Sequence, residues 1–179
     1  DLIKVVSDDD AFDFGAIRMC REYMLDHPEV DLMAGNVGDM AAESPADASV
    51  MWSYANEHRS FRQGATGRFF FNGLPIMLRR TSIPLLGLFA TGVIAVDLEY
   101  SLRTTATACI GWCDSVIALR IDHGKSNFRT MRKRCDEERR RLAAWYDWKP
   151  PPFPRTPLAT RWRRRLHHPV RTGRQVTTR

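Results

Sequence analysis

The hydrophobic pattern at the start of the chain predicts a strand, a helix and a second strand. Residues 2–6 are mostly apolar and β-branched and run into acidic residues, as a buried strand does when it ends in a loop. Asp13 is suited to capping a helix, and beyond it apolar residues recur at roughly helical spacing as far as His27, which precedes a proline. Residues 30–34 are again apolar and end at Gly35-Asn36, so they predict the second strand.

The middle of the chain has a weaker pattern. Residues 37–66 lack clear periodicity, which predicts a long irregular segment with one short helix near residues 49–58. Residues 68–71 and 75–79 are expected to be extended around Asn72-Gly73. Further along, residues 81–86 predict a short helix ended by Gly87. A second short helix is predicted over residues 96–103, opened by Asp97, with Val96, Leu98 and Leu102 along one side.

The last predicted elements are a strand and a longer helix. Residues 115–121 predict the strand, which ends in Asp122-His123-Gly124. A helix over residues 127–148 should pack on the sheet through an apolar stripe made of Phe128, Met131, Cys135, Leu142 and Trp145. From residue 149 the chain is rich in Pro and then Arg, and it cannot offset an ordering cost of about 1–2 kcal/mol per residue by burial. We therefore predict an α/β domain over residues 1–148 and a disordered basic tail over 149–179.

Charge is distributed unevenly along the chain. Nine of the 27 Lys and Arg residues lie from Lys149 onward, where there is no Asp or Glu. Residues 1–148 therefore carry 18 basic against 21 acidic side chains, a net charge of −3, although the whole chain carries +6. A mildly acidic body with a polycationic tail is not typical of a uniformly basic nucleic-acid-binding fold.

The cysteines and the apolar runs indicate a soluble protein of a reducing compartment, such as the cytoplasm. Cys20, Cys109, Cys113 and Cys135 form no CxxC pair and are expected to be reduced and mostly buried. No secretory signal is visible at the start of the chain. The longest nearly apolar run, residues 83–96, contains a proline and two glycines and is shorter than the ~20 residues of a membrane span.

Three adjacent carboxylates, Asp8, Asp9 and Asp10, follow the first predicted strand. Their mutual repulsion is costly unless a cation or several hydrogen-bond donors neutralise it. Oxygen ligands in a loop suit Mg²⁺ or Mn²⁺, and these ions also hold substrate phosphates. A solvated acidic turn before the next helix is the alternative, and the triplet alone leaves both open.

Four blocks of the sequence resemble glycosyltransferase family 2, whose members have the GT-A fold and transfer a sugar with inversion of configuration at its anomeric carbon. The first block is residues 5–10, the helix that follows them and residues 30–35. The second is residues 70–80 together with 86–89, and the third is residues 96–103. The fourth is Gly111-Trp112 together with the strand that ends at His123. The last pair is similar to a glycine-aromatic turn and a late histidine of the family. The resemblance covers about residues 1–125, the C-terminal and catalytic half of the family's domain. It implies a GT-A-like mixed sheet with flanking helices that lacks the N-terminal nucleotide-binding strands, and we expect the chain to be truncated there and inactive alone.

The resemblance also implies an activity, namely metal-assisted transfer of a sugar from a nucleotide-sugar donor to the hydroxyl of a glycan or lipid-linked acceptor. Asp97 matches the aspartate of the family's Glu-Asp motif, the implied general base, although Val96 stands where the family usually has Glu. The implied metal is Mg²⁺ or Mn²⁺ at Asp9, with Asp8 and Asp10 sharing metal or ribose contacts. His123 would be a further ligand or a phosphate contact, or else structural.

Other readings stay open at this point. Asp8–Asp10, Asp97 and Glu99 are also carboxylates that a two-metal nuclease or phosphotransferase would use. Arg103 is expected to have a structural role, either pairing with an acid such as Glu99 or supporting the helix of Asp97. A non-catalytic module would instead bind membrane or nucleic acid through its tail. The basic residues in 161–174 suit peripheral contact with anionic lipid at the inner face of the membrane, and nucleic acid is the less favoured partner.

Overall fold

A six-stranded mixed sheet forms the centre of the protein in a computed structural model, which describes residues 1–8, 10–41, 60–63, 67–122 and 130–150. The strands are β1 (Leu2–Lys4), β2 (Ala11–Phe12), β3 (Leu32–Ala41), β4 (Phe61–Gln63), β5 (Met77–Arg79) and β6 (Ile110–Asp122). Their order is β1-β5-β3-β6-β2, and β4 also pairs with β6. The β3–β6 pair is parallel and the other described pairs are antiparallel. The predicted α/β class with a mixed sheet is therefore confirmed.

Four helices accompany this sheet in the described part of the chain: α1 (Phe14–Asp26), α2 (Ile83–Leu86), α3 (Val96–Thr104) and α4 (Arg132–Trp145). The predicted cap of α1 is confirmed, because Asp13 Oδ1 accepts hydrogen bonds from the N–H groups of Gly15 at 2.8 Å and Ala16 at 3.1 Å. A 3₁₀ turn, Arg80–Ser82, precedes α2, and Gly87 ends it with φ of 69°, a backbone conformation that disfavours side chains with a Cβ.

Two strands are longer than the sequence predicts. β3 continues to Ala41, into a region expected to lack regular structure, and β6 begins at Ile110 rather than at residue 115. The two are hydrogen-bonded to each other from Leu32 and Ile110 onward, so each supplies the backbone partners that extend the other. Gly111-Trp112 consequently lies inside a strand and not in a turn. Residues 68–71, expected to be extended, belong to no strand.

Helices cover both faces of the sheet. α1 packs on one face, where its buried residues Ala16, Cys20 and Met24 join a cluster with Met33 and Ile117. On the opposite face a second cluster brings α2 and α3 against the strands, and its buried members include Leu32, Phe71, Leu78, Leu86 and Tyr100. Neighbouring residues Leu32 and Met33 belong to different clusters because successive side chains of a strand point to opposite faces.

α4 packs on α3 and not on the sheet, contrary to the prediction. Its buried Cys135 lies in a cluster with Ala95, Leu98 and Leu102, and Leu142 packs against the same cluster. Trp145, assigned above to the buried stripe, is 83% exposed. Asp1–Lys149 forms one compact unit. The predicted helix at 49–58, the first residues of the predicted 127–148 helix and the tail from 151 lie outside the described residues.

Candidate functional site

The acidic loop after β1 is held against the C-terminal end of β6. Asp10 Oδ1 accepts a hydrogen bond of 2.9 Å from the N–H of Ile121, and β2, which follows directly, pairs with Leu119 and Ala118 of the same strand. Asp8 is exposed. The aspartate between them, Asp9, lies outside the described residues, so the structure locates two of the three predicted carboxylates.

Lys4 lies at the end of β1, just before this loop, and is half-buried. Its Nζ donates a hydrogen bond of 2.6 Å to the carbonyl oxygen of Leu74 and another to that of Val5, and it lies 4.6 Å from the centre of the Phe12 ring. Burial lowers the pKa of Lys4 to about 8, because the charged ammonium is partly removed from water. The side chain thus connects β1 with β2 on either side of the acidic loop.

Asp97 is in the first turn of α3, as the sequence predicts. Its Oδ1 accepts a hydrogen bond of 2.8 Å from the N–H of Leu98, and its side chain is half-buried. The backbone of Gly73 lies beside it, since a Cβ placed on Gly73 would stand 3.5 Å from the Cβ of Asp97. Burial raises the pKa of Asp97 above the ordinary value, and the hydrogen bond from Leu98 offsets only part of that effect.

Two arginines that the sequence analysis did not single out act electrostatically on Asp97. Arg139 of α4 and Arg120 of β6 each favour the ionised carboxylate and so lower its pKa, without cancelling the effect of burial. The guanidinium of Arg139 also lies 5.6 Å from the centre of the Phe70 ring. Arg120 directly precedes Ile121, the residue bound by Asp10. The end of β6 is therefore adjacent to the acidic loop and within the electrostatic range of Asp97.

Glu138 of α4 organises the backbone that leads into α3. Its Oε2 accepts hydrogen bonds of 2.6 Å from the N–H groups of both Ile94 and Ala95, and Ala95 is the N-cap residue of α3. Those N–H groups precede the helix and have no partner inside it. The sequence carried no signal for this contact, because Glu138 is one of three consecutive acids on a helix whose neighbour was unknown.

Glu99, two residues after Asp97 on α3, has a structural role. Its Oε1 accepts hydrogen bonds from Arg103 Nε at 2.7 Å and from the Tyr146 hydroxyl at 2.9 Å, and its Oε2 accepts one from Arg103 Nη2 at 3.2 Å. Burial acts to raise the pKa of Glu99, but these hydrogen bonds outweigh it and the pKa is lowered. The predicted Glu99–Arg103 pair is confirmed. Arg103 also donates to the carbonyl oxygens of Leu86 and Leu88, which ties α3 to the end of α2.

Among the residues that the structure describes, no group of three or more His, Cys, Asp or Glu side chains is arranged to hold a metal ion. Two of the four predicted ligands, Asp9 and His123, lie outside those residues, so the predicted metal set remains a prediction. Asp8 and Asp10 supply carboxylate oxygens, which suit Mg²⁺ or Mn²⁺. The four cysteines are free, and Cys20, Cys113 and Cys135 are buried.

No protein-family model matches the chain, and no curated protein matches it significantly. None of the helices in the described ranges combines the length and the apolar character that a membrane span requires.

Proposed function

We propose that the chain is the catalytic part of an inverting glycosyltransferase with a GT-A-like fold. In this proposal a nucleotide-sugar is the donor and the hydroxyl of a glycan or lipid-linked acceptor attacks it. Asp97 accepts the proton of that hydroxyl. The sequence blocks that resemble glycosyltransferase family 2 support this reading, as does the order of β1, the acidic loop, α1 and β3 along the chain.

The observation that carries the proposal is the position of β6 relative to the two groups of carboxylates. Asp10 binds the N–H of Ile121, and the preceding residue, Arg120, acts electrostatically on Asp97. The acidic loop is thus bonded to the end of β6, and Asp97 at the start of α3 lies within the electrostatic range of the same strand end. A glycosyltransferase site requires such an approach, with the leaving group on one side and the base on the other.

The environment of Asp97 suits a general base. A carboxylate whose pKa is raised by burial binds a proton more strongly than an exposed one, and proton transfer is most effective when the pKa of the base is near the working pH. Arg139 and Arg120 keep the ionised form accessible. Glu138 holds the N–H groups of Ile94 and Ala95, which limits movement of the turn that carries Asp97.

The carboxylate oxygens of the acidic loop are suitable ligands for a divalent metal ion. Asp8 and Asp10, together with Asp9 and His123, would hold Mg²⁺ or Mn²⁺, which when bound neutralises charge on the departing diphosphate. The two-metal nuclease alternative also needs Glu99 as a ligand. Both oxygens of Glu99 already accept hydrogen bonds from Arg103, so no observation favours that alternative.

The test is release of nucleoside diphosphate from a panel of nucleotide-sugars with Mn²⁺ present, with water standing in as the acceptor hydroxyl. It uses this chain alone and joined to any residues that precede it in its gene. We expect release with at least one donor, dependent on the metal. Asp97→Asn should abolish release while donor binding, followed by calorimetry, is nearly unchanged. Asp26→Asn, at the exposed end of α1, is the matched control and should retain full activity.

Undiminished turnover by Asp97→Asn would remove Asp97 from the base role. If neither protein form binds or cleaves any donor, with or without metal, the glycosyltransferase assignment itself is wrong.

A further inference from the structure

The outward side of α4 is basic and carries an exposed tryptophan. The helix contains six Lys or Arg and three Asp or Glu residues. Its exposed residues include Arg132, Lys133, Arg134, Arg140, Arg141 and Trp145. We propose that this surface, called here the α4 basic face, docks on an anionic lipid bilayer. The proposal is independent of the reaction proposed above.

The two sides of α4 carry different kinds of side chain. Cys135 and Leu142 pack toward α3, and Glu138 binds the backbone before that helix. Arg139 faces the Phe70 ring and acts on Asp97. One acid and one base are thus used inside the protein, which leaves five exposed basic side chains beside the exposed Asp136 and the half-buried Glu137.

Two acids of the helix accompany the α4 basic face: Asp136 is exposed, and Glu137, which is half-buried, lies one turn from both Lys133 and Arg141. Arg132 lies 4.0 Å from the Asp136 carboxylate, and Arg140 Nε donates to the Asp136 carbonyl oxygen at 3.2 Å. Lys133, Arg134 and Arg141 are exposed. Positions 134, 141 and 145 fall within a narrow arc of the helix, because residues seven apart and four apart share a side. Two arginines and Trp145 therefore lie together.

A lipid surface explains both the charge and the aromatic residue. Lys and Arg near an anionic bilayer contribute about 1 kcal/mol each, and Trp is enriched at the level of the lipid headgroups. Trp145 is 83% exposed, the largest exposed fraction among the large hydrophobic side chains that the structure describes. The nine basic residues from Lys149 onward carry no accompanying acid, so the charge after the helix has the same sign.

The experiment is flotation of the full 179-residue chain with vesicles of phosphatidylcholine, with and without phosphatidylserine. We expect binding only when phosphatidylserine is present, with a loss of binding as salt is raised. The triple substitution Lys133→Gln, Arg134→Gln, Arg141→Gln should lower the partition constant roughly 100-fold, since about 1 kcal/mol per residue is about fivefold each. Lipids brominated near the headgroup should quench tryptophan fluorescence in the wild type, and Trp145→Gln should reduce that quenching.

Two controls separate the α4 basic face from general positive charge. Arg18→Gln with Arg21→Gln removes exposed charges from α1 and should leave vesicle binding within about twofold, because these residues lie on another helix. Replacing the tail arginines Arg161, Arg163, Arg164 and Arg165 with Gln shows what the tail adds.

Wild-type binding by the triple variant would overturn the proposal, as would equal losses in the triple variant and the α1 control. A tail variant that loses all binding while the triple variant loses none would assign the contact to the tail. Binding of single-stranded RNA through the same three residues, without vesicle binding, would make the surface a nucleic-acid site instead.

Discussion

Asp10 and Ile121 are 111 positions apart in the chain and are joined by a 2.9 Å hydrogen bond from the Ile121 N–H to Asp10 Oδ1. The bond brings the acidic loop to the end of β6. It also means that Asp10 has a structural partner whatever else it binds, so a test of its chemistry must separate the two roles.

We expect Asp10→Ala to lower the free energy of unfolding by about 1–2 kcal/mol, because the part-buried N–H of Ile121 loses a charged acceptor. Asp10→Asn keeps an acceptor oxygen and should cost less than half as much. Urea unfolding measures both. The exposed Asp8 provides the control: Asp8→Asn should change the free energy of unfolding by less than about 0.5 kcal/mol. Equal losses from Asp10→Ala and Asp8→Asn would show that the bond to Ile121 contributes nothing.

Asp97→Asn should make the protein more stable at neutral pH. Burial raises the pKa of Asp97 in the folded protein, so ionisation is less favourable there than in the unfolded chain. That cost is absent below the unfolded pKa of about 4 and develops fully as pH rises through the folded value. Melting temperatures measured across pH should therefore diverge above pH 4, with the variant higher, and converge below it. Asn retains the oxygen that accepts from Leu98. A variant that is less stable at pH 7 would contradict this account.

Glu138→Ala should destabilise the protein by about 2–3 kcal/mol, since the N–H groups of Ile94 and Ala95 both lose their acceptor. Glu138→Gln keeps the oxygen without the charge, and we expect a smaller loss. Hydrogen exchange at Ile94 and Ala95 should speed up in the Ala variant. Glu137→Ala, one position earlier on α4, is the control and should leave exchange at those two sites unchanged.

Lys4→Met should change the pH dependence of stability on the alkaline side. The folded pKa of Lys4 is lowered from 10.5 to about 8, so between these values the unfolded chain binds more protons and the wild type gains stability as pH rises. Relative to Lys4→Met, the wild type should gain about 1–3 kcal/mol between pH 7 and 10.5, allowing for partial screening by solvent. Denaturant unfolding across that range measures the difference. If the difference in unfolding free energy between the two proteins stays constant across this pH range, the pKa of Lys4 is not lowered in the folded protein.

Features that depend on a few neighbouring residues were predicted correctly. Asp13 caps α1, Gly87 ends α2, and Glu99 pairs with Arg103 one turn later on α3. In each of these the interacting groups are at most four residues apart, or the conformation belongs to one residue. The position of Asp97 at the start of α3 belongs with them.

Features that depend on distant partners were predicted poorly or not at all. β3 continues past Gly35 without an alternating pattern because β6 supplies its hydrogen-bond partners. The apolar stripe of α4 correctly implied a buried side, but only the arrangement in space decides that α3 and not the sheet covers it. Glu138 binds the backbone before α3, and Arg120 and Arg139 act electrostatically on Asp97. All three belong to other elements, and no spacing in the sequence indicates these interactions.

The sequence by itself determined the α/β class, the helix limits set by caps and glycines, and the chemical groups offered by the acidic loop and by Asp97. Tertiary structure alone decided how long the parallel strands run, what α4 packs against and which charges act on Asp97. The physical reason is range: caps and helical pairs form between neighbours in the chain, whereas strand ladders, burial and pKa shifts depend on groups brought together from far apart.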